Sequence, residues 1–227
     1  SSKLSEVKNY HNFFDLSVNN LSSVLDSINH KHINKIIYTS SSSVYGSIND
    51  HNYLNDANNR QLYSSTKLLN EITLNNYCQK NNIPLIVARL FNMYGSNENF
   101  SIIHKLIKNI NNNKKIILYN NGDSVRDFIH VDDVCKIYIA LLASKKSNIY
   151  DVGSGVGIKI MDIVNFLEIP KNKVIFKKNK VTELKSSIAN VSKIQDIVSK
   201  ISFIKIEDFL KKSIKKNIKI KILNKID

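Results

Sequence analysis

The most informative segment of the chain reads Ile36-Ile37-Tyr38-Thr39-Ser40-Ser41-Ser42-Ser43-Val44-Tyr45-Gly46, and a second segment, Tyr63-Ser64-Ser65-Thr66-Lys67, follows it. The apolar run predicts a strand over residues 35–39, and the serines fall at its end. The second segment predicts a helix in which Tyr63 and Lys67, four residues apart, lie on one face. These two elements therefore offer hydroxyls, a phenol and an ammonium for one site.

The pair of Tyr63 and Lys67 has the chemistry of a general acid and base. A phenol with an ordinary pKa of about 10 is a poor base near neutrality, but an adjacent ammonium stabilises the phenolate and lowers that pKa. A serine hydroxyl at the strand end can then bind the same substrate oxygen while Tyr63 exchanges its proton. A Tyr-x-x-x-Lys spacing also occurs in helices without a catalytic role, so the serine-rich turn is what favours the catalytic interpretation.

The order of strand, hydroxyl run, Val44-Tyr45-Gly46 and Tyr63-x-x-x-Lys67 resembles the extended short-chain dehydrogenase/reductases. It resembles in particular the nucleotide-sugar epimerases of the UDP-glucose 4-epimerase type. Matching Val44-Tyr45-Gly46 to the family pattern places the catalytic hydroxyl at Ser41. The resemblance implies that Ser41 donates a hydrogen bond to the substrate and that Tyr63 is the acid/base. It also implies that Lys67 lowers the pKa of Tyr63 and binds the nicotinamide ribose.

The resemblance implies the remaining cofactor and substrate contacts as well. A near-continuous apolar run over residues 83–90, typical of a buried parallel strand, leads into Phe91-Asn92-Met93-Tyr94-Gly95, which matches the family's Phe-Asn-x-Tyr-Gly; an unspecialised loop is the alternative. The implied cofactor is NAD, with NADP as an open alternative, and its contacts are Thr39, Ser40, Tyr63, Lys67 and Phe91. The implied substrate is a nucleotide-diphosphate sugar, and its contacts are Ser42, Asn92 and Arg126.

The longest uninterrupted match to the family is Arg126-Asp127-Phe128-Ile129-His130-Val131 and the acidic residues that follow. In the family the Arg clamps the substrate diphosphate, and a guanidinium suits that role because it makes two parallel hydrogen bonds. We expect Asp132 to cap a helix that runs to Leu142, and His130 to be structural. Further along, Lys180 replaces an arginine that often reaches the nucleotide in the family, and this replacement removes the planar fork.

The residues after Ser41 distinguish among the reactions of the family. The resemblance implies an Asp-Glu pair after the catalytic hydroxyl in the 4,6-dehydratases, and a Glu before Val-Tyr-Gly in the decarboxylases. Here Ser42 and Ser43 occupy these positions and cannot act as an additional acid or base. The predicted function is therefore an NAD-dependent nucleotide-sugar 4-epimerase, an isomerase that works through a transient keto-sugar. A keto-sugar reductase, a dehydratase or decarboxylase, and a protein that no longer binds NAD are the alternatives.

The glycine-rich turn with which the family cradles the dinucleotide pyrophosphate is not in this sequence. The six glycines are at positions 46, 95, 122, 153, 155 and 157. We interpret the cluster at 153–157 as a strand-to-helix connection. We therefore expect a fragment, inactive in isolation, that lacks the first strands of a Rossmann domain.

The predicted fold class is α/β, with the C-terminal part of a Rossmann-like parallel sheet and a small α+β substrate-binding lobe. Residues 1–93 and 121–153 are assigned to the remnant of the NAD(P)-binding Rossmann domain, and residues 94–120 and 154–227 to the lobe. The resemblance also implies a homodimer for the full-length protein.

Composition limits the expected partners and location. The formal net charge of +14 would favour nucleic-acid binding, but only three of the basic residues are arginines, and the chain is rich in lysine, asparagine and isoleucine. That mixture is typical of nucleotide-composition bias, so we predict no nucleic-acid partner. The sequence has no apolar run of membrane-span length and no signal peptide, which predicts a soluble, cytoplasmic protein. Cys78 and Cys135 lack metal-ligand spacing, so we expect two small buried hydrophobes and no metal.

Overall fold

In the computed structural model the chain forms strands and helices in alternation, and the structure describes residues 10–49, 59–95, 101–144, 147–178 and 184–223. The chain divides into two compact units, residues 1–90 with 139–152 and residues 91–138 with 153–227. The predicted α/β class is confirmed. The assignment of one part of the chain to the cofactor and the other to the substrate remains a prediction.

The elements are numbered in chain order. The strands are β1 (Ile36–Ser41), β2 (Leu85–Leu90), β3 (Asn92–Tyr94), β4 (Ile116–Tyr119), β5 (Val125–His130), β6 (Asn148–Val152), β7 (Gly157–Lys159), β8 (Val174–Lys177) and β9 (Ser186–Ser187). The helices are α1 (Tyr10–Phe14), α2 (Asn20–Ser27), α3 (Val44–Asn49), α4 (Asn59–Lys80), α5 (Ile102–Asn111), α6 (Val131–Ala143), α7 (Ile160–Phe166), α8 (Gln195–Val198) and α9 (Ile206–Leu223). A π-helical turn, Asp15–Asn19, joins α1 to α2.

The first unit contains a three-stranded parallel sheet in the order β1-β2-β6. Strand β2 lies in the centre, and its residues Leu85 to Arg89 are all buried, as the continuous apolar run predicts. Strand β1 extends two residues beyond its predicted end, so Ser40 and Ser41 are its last two residues. Ser41 therefore lies at the carboxyl end of a parallel strand, which is where open α/β sheets bind their ligands.

A cluster of buried apolar side chains packs helices α2 and α4 against this sheet. Its members are Leu25, Leu74, Cys78, Ile83, Leu85 and Val87. The apolar residues at positions 18, 21, 24, 25 and 28 have the spacing of an amphipathic helix. Of these, Leu25 is buried, whereas Val24 is 51% exposed. Removal of this apolar surface from water stabilises the unit and fixes α4 relative to the end of β1.

Strand β5 is the centre of the main sheet of the second unit. It pairs in parallel with β3 and β9 and antiparallel with β7, while β4 and β8 form a separate parallel pair. Helices α5, α7 and α9 contribute to a buried cluster that includes Ile103, Leu106, Ile160, Ile163, Val164, Ile206 and Leu210. Helix α5 buries Ile103 and Leu106, which together with Ile107 and Ile110 have the spacing of one helix face.

Helix α6 begins at Val131, so Asp132 is inside its first turn and the prediction that Asp132 caps the helix is wrong. His130 caps it instead, because the backbone N–H of Asp132 donates to His130 Nδ1 at 3.2 Å. The His130 ring is buried, and its centre lies 5.2 Å from that of Tyr94 and 5.5 Å from that of Phe209. These contacts agree with a structural role for His130.

The two cysteines differ in their environments. Cys78 is buried as predicted, but Cys135 is exposed and the prediction for it is wrong. Its position on α6 falls between the buried Val134 and Ile137, on the side of the helix that faces water. Among the residues that the structure describes, no group of His, Cys, Asp or Glu side chains could hold a metal ion. Within the same ranges, no helix combines the length and apolar character needed to cross a membrane.

Candidate active site

Ser41, Tyr63 and Lys67 are brought together in the first unit. Ser41 ends β1, and Tyr63 and Lys67 lie one helical turn apart on α4. The Ser41 side chain lies within hydrogen-bond reach of Tyr63, and this contact lowers the pKa of the phenol. Lys67 Nζ donates to the carbonyl oxygen of Thr39 at 3.0 Å and lies 5.8 Å from the centre of the Tyr63 ring. A strand end and a helix face thus place a hydroxyl, a phenol and an ammonium beside one another.

Burial dominates the ionisation of the two titratable residues. It raises the pKa of the Tyr63 phenol, and the hydrogen bond with Ser41 lowers that pKa only in part. It lowers the pKa of the Lys67 ammonium, while the charge of Glu71 raises that pKa. The net direction for Tyr63 is opposite to the one expected from the ammonium alone, because the phenolate loses more hydration on burial than its neighbours replace.

Ser43 sets the direction in which Ser41 can donate. The backbone N–H of Ser43 donates to Ser41 Oγ at 3.2 Å, and the Ser43 hydroxyl donates to the same oxygen at 2.9 Å. A hydroxyl has one proton and two lone pairs, so an oxygen that accepts from Ser43 keeps its own proton for another acceptor. Ser41 is therefore arranged as a hydrogen-bond donor, as its predicted role requires.

The other predicted contacts in the serine run have different surroundings. Thr39 binds Lys67 through its backbone carbonyl, and its side chain is exposed. The Ser40 side chain is buried and donates to the carboxylate of Glu71, so it does not face solvent. Ser42 is half-buried, and its backbone N–H donates to the carbonyl of the last residue of β2 at 3.0 Å. The structure thus connects Thr39 with Lys67 but directs Ser40 toward α4.

The predicted contacts Phe91, Asn92 and Arg126 belong to the second unit. Phe91 is buried. The Asn92 amide donates to the backbone carbonyl of Asp127 at 3.2 Å, and Arg126 Nη1 donates to the preceding backbone carbonyl at 2.8 Å. Asn92 and Arg126 lie on the paired strands β3 and β5, so these two predicted substrate contacts share one sheet. Lys180 lies outside the residues that the structure describes.

A comparison with protein-family models identifies the family. Residues 1–153 match the NAD dependent epimerase/dehydratase family. The chain belongs to this family. The match includes the serine run, Tyr63 and Lys67, and Arg126, and it confirms the resemblance seen in these motifs.

The curated relatives of the chain include both an epimerase and a dehydratase. The chain is 26% identical over 185 residues to the CapI protein of Staphylococcus aureus, covering 71% of this chain and 55% of that protein. It is 32% identical over 113 residues to dTDP-L-rhamnose 4-epimerase of Burkholderia thailandensis, covering 47% and 31%. It is 28% identical over 155 residues to dTDP-D-glucose 4,6-dehydratase of Dictyostelium discoideum, covering 62% and 36%. The chain therefore spans about half the length of these relatives, or less.

Solved structures of the epimerase/dehydratase family share the fold. UDP-glucuronic acid 4-epimerase from Bacillus cereus, in complex with UDP-glucuronic acid and NAD, aligns with a TM-score of 0.78 at 24% identity and covers 97% of this chain and 73% of its own. dTDP-glucose 4,6-dehydratase from Bacillus anthracis, in complex with NAD, aligns with a TM-score of 0.73 at 22% identity and covers 91% and 69%. The observed sheets and helices are thus those of a Rossmann-like member of the family.

Lys67 suits a ribose of NAD, whereas the glycine cluster at 153–157 does not suit the pyrophosphate of NAD. An ammonium has three N–H donors. Lys67 uses one of them to bind the Thr39 carbonyl oxygen. Because a ribose offers two neighbouring hydroxyls, a group with several donors suits it. The cluster at 153–157 does not suit a pyrophosphate, because the N–H groups of Ser154 and Gly155 donate to the Asp127 carboxylate at 2.8 and 2.9 Å. This agrees with its interpretation as a connection rather than a cofactor loop.

Two buried carboxylates have contacts that the sequence analysis does not predict. Asp127 is fully buried and accepts hydrogen bonds from Ser154, Gly155 and Ala189. Its partners are 27 to 62 residues away in the chain, so no local pattern indicates them. Glu71 pairs with a buried arginine of β2. The sequence does indicate that Glu71 lies near the site, since it follows Lys67 by four residues and so shares its helix face.

Proposed function

We propose that this chain provides the catalytic groups of an NAD-dependent nucleotide-sugar 4-epimerase. The observation that supports this most strongly is the joint placement of Ser41, Tyr63 and Lys67, with Ser43 directing the Ser41 hydroxyl. A donor hydroxyl, a phenol and an ammonium are the groups needed to remove a proton from a sugar hydroxyl and to return it. Membership of the epimerase/dehydratase family supports NAD as the cofactor and a nucleotide-diphosphate sugar as the substrate.

The chain's own residues act at the sugar oxygen. When bound, NAD supplies the acceptor and donor of the hydride. Tyr63 takes the proton of the hydroxyl as the keto-sugar forms and returns it after the keto group is reduced on its other face. Ser41 donates a hydrogen bond to the same oxygen in both directions. Lys67, held by the carbonyl of Thr39, provides a positive charge that stabilises the negative charge developing on the phenol oxygen.

A 4,6-dehydratase is the second candidate, since a relative with that name matches the chain at 28% identity. The residues at positions 42 and 43 favour the epimerase. The dehydratases of this type have an Asp-Glu pair there, whereas Ser42 and Ser43 are hydroxyls and neither acids nor bases near neutrality. The hydroxyl of Ser43 in addition donates to Ser41. Elimination of water from the sugar would therefore lack its catalyst.

Product analysis tests the proposal. The product of the full open reading frame that contains this chain is incubated with NAD and with single UDP-hexoses or dTDP-hexoses. Anion-exchange chromatography then separates the nucleotide-sugars. We expect the 4-epimer of one hexose and no net formation of NADH. A 4-keto-6-deoxy product would favour the dehydratase, and net oxidation of added NADH would favour a keto-sugar reductase.

Replacement of Arg126 by lysine tests the predicted diphosphate contact. Arg126→Lys keeps the positive charge but cannot make the two parallel hydrogen bonds of a guanidinium to a phosphate. We expect KM for the nucleotide-sugar to rise roughly tenfold while kcat changes little, because the contact is the same in the ground and transition states. Steady-state kinetics separate the two constants. An unchanged KM would instead indicate that Arg126 is a structural partner of Asp127 or of the carboxylates near Asp132.

A further inference from the structure

A row of polar side chains crosses the buried sheet of the first unit. Ser40 on β1, Arg89 on β2 and Asp151 on β6 are in register with one another. Side chains alternate between the two faces of a sheet, so residues in register lie on the same face. All three residues are buried, although charged side chains are rarely buried unless they are paired. The row therefore indicates a specific arrangement rather than ordinary packing.

Two helices supply the partners of this row. Arg89 Nε and Nη2 donate to the two oxygens of Glu71 on α4 at 3.1 and 2.7 Å, and the Ser40 hydroxyl donates to the same carboxylate. The Arg89 guanidinium lies 4.7 Å from the centre of the Tyr45 ring on α3, and the Tyr45 hydroxyl donates to Asp151 at 2.5 Å. The result is a connected polar network that joins three strands to two helices.

Glu71 connects the network to the helix face that carries the proposed catalytic groups. It follows Lys67 by four residues, and Lys67 follows Tyr63 by four, so the three share one face of α4. On the strand side, its partner Ser40 directly precedes Ser41. The Glu71 carboxylate therefore contacts the strand that ends in Ser41 and belongs to the helix that presents Tyr63.

We propose that Glu71 is a positioning residue, which fixes the end of β1 against the catalytic face of α4. It thereby keeps Ser41 within hydrogen-bond reach of Tyr63 during the reaction. The inference rests on the proposed function for its choice of these two reacting groups. A bidentate pair with a guanidinium has one favoured geometry, so the Glu71 carboxylate cannot rotate without breaking two hydrogen bonds. It is thus a more rigid attachment point for the strand than a single polar contact would be.

Ser40→Ala is the most selective test. It removes the attachment of β1 to Glu71 and leaves the pair of Glu71 and Arg89 in place. A displacement of about 1 Å costs up to a hundredfold in rate, so we expect kcat to fall roughly ten- to a hundredfold while KM for the nucleotide-sugar stays unchanged. The matched control is Thr73→Ala, whose hydroxyl donates to the Leu69 carbonyl within α4 and whose loss should leave kcat unchanged.

Glu71→Gln adds a second measurement, the pH dependence of kcat, which would not change if Glu71 had a purely structural role. The titratable and charged groups that surround Glu71 and Lys67 are Tyr38, Tyr45, Tyr63, Arg89 and Asp151. Burial raises the pKa of Tyr38 to about 12, so Tyr38 stays protonated over the working range. The charge of Glu71 raises the pKa of Lys67, so removal of that charge lowers it, and the ammonium is lost at lower pH. We expect the alkaline limb of the kcat profile to move to lower pH in Glu71→Gln and to stay in place in Ser40→Ala.

NMR of the chain labelled with carbon-13 at tyrosine Cζ provides a readout without substrate or NAD. The Tyr63 resonance is identified by its loss in Tyr63→Phe, and its position at neutral pH reports the hydrogen bond with Ser41. We expect it to move in Ser40→Ala and Glu71→Gln but not in Thr73→Ala. An unmoved resonance, or an unchanged kcat, in Ser40→Ala would overturn the inference. Absence of a 4-epimer from the product of the full open reading frame would contradict the proposed function instead, and the resonance would still decide the positioning.

Discussion

Tyr63→Phe is expected to remove most of the turnover and to leave substrate binding nearly intact. The substitution deletes the hydroxyl that we propose exchanges the proton but keeps the ring, which is half-buried beside Lys67. General acid/base catalysis contributes roughly a hundred- to ten-thousandfold, so kcat should fall by a factor in that range. KM should change little, because the proton transfer occurs only on the way to the transition state. Steady-state kinetics with the nucleotide-sugar measure both constants.

Tyr77→Phe is the matched control for Tyr63→Phe. Tyr77 lies on the same helix, is also half-buried, and packs against the apolar cluster of the first unit rather than beside Ser41. Its loss of a hydroxyl should leave kcat near the wild-type value. If Tyr63→Phe did the same, the assignment of Tyr63 as the acid/base would fail.

Asp127→Asn is expected to lower the free energy of unfolding by roughly 2–4 kcal/mol. The Asp127 carboxylate accepts from the N–H and hydroxyl of Ser154 at 2.8 and 2.7 Å, from Gly155 N at 2.9 Å and from Ala189 N at 3.1 Å. The amide of the asparagine has the same shape, but its NH2 group replaces one of the two accepting oxygens. At least one of the N–H or O–H donors that now bind Asp127 therefore loses its acceptor. The remaining donors lose the stronger bond to a charged acceptor. Urea denaturation, with one m-value for both proteins, measures the change.

Asp132→Asn is the control for Asp127→Asn. Its carboxylate is 66% exposed, and surface substitutions of this kind usually change stability by less than about 0.5 kcal/mol. The Asp127 carboxylate is closely packed against Gly153, because a Cβ added at Gly153 would lie 2.5 Å from Asp127 Oδ2 and 2.5 Å from the Cβ of Ala189. An amide at position 127 therefore has little room to move, which supports the larger effect expected there. Equal midpoints for wild type and Asp127→Asn would show that this carboxylate does not hold the connection after β6.

The sequence predicts those features that depend on neighbours in the chain. The burial of β2 follows from its unbroken apolar run, and the common face of Tyr63 and Lys67 follows from their spacing in a helix. The position of Ser41 at a strand end follows from the apolar residues before it and from Val44-Tyr45-Gly46 after it. The structure agrees with all three placements.

Other features depend on contacts that are distant in the chain, and the sequence does not predict them. The exposure of Cys135 depends on which face of α6 packs inward. The neighbouring apolar residues Val134 and Ile137 are buried, but in the sequence they do not indicate on which face Cys135 lies. The cap of α6 is an imidazole rather than a carboxylate, because His130 is the residue directly before the helix. The partners of Asp127 come from two later loops, so this buried carboxylate resembles any other acidic residue when the sequence alone is read.

Turnover in D2O followed by proton NMR tests the proposed 4-epimerase most directly. Removal and return of the hydride at C4 leave the carbon-bound hydrogen within the sugar, while Tyr63 exchanges only the proton on oxygen. We therefore expect a 4-epimer with no deuterium on carbon and with all of its oxygens retained. A dehydratase would remove the proton at C5, release water and return the stored hydride to C6, so deuterium at C5 of a 6-deoxy product would contradict the proposal.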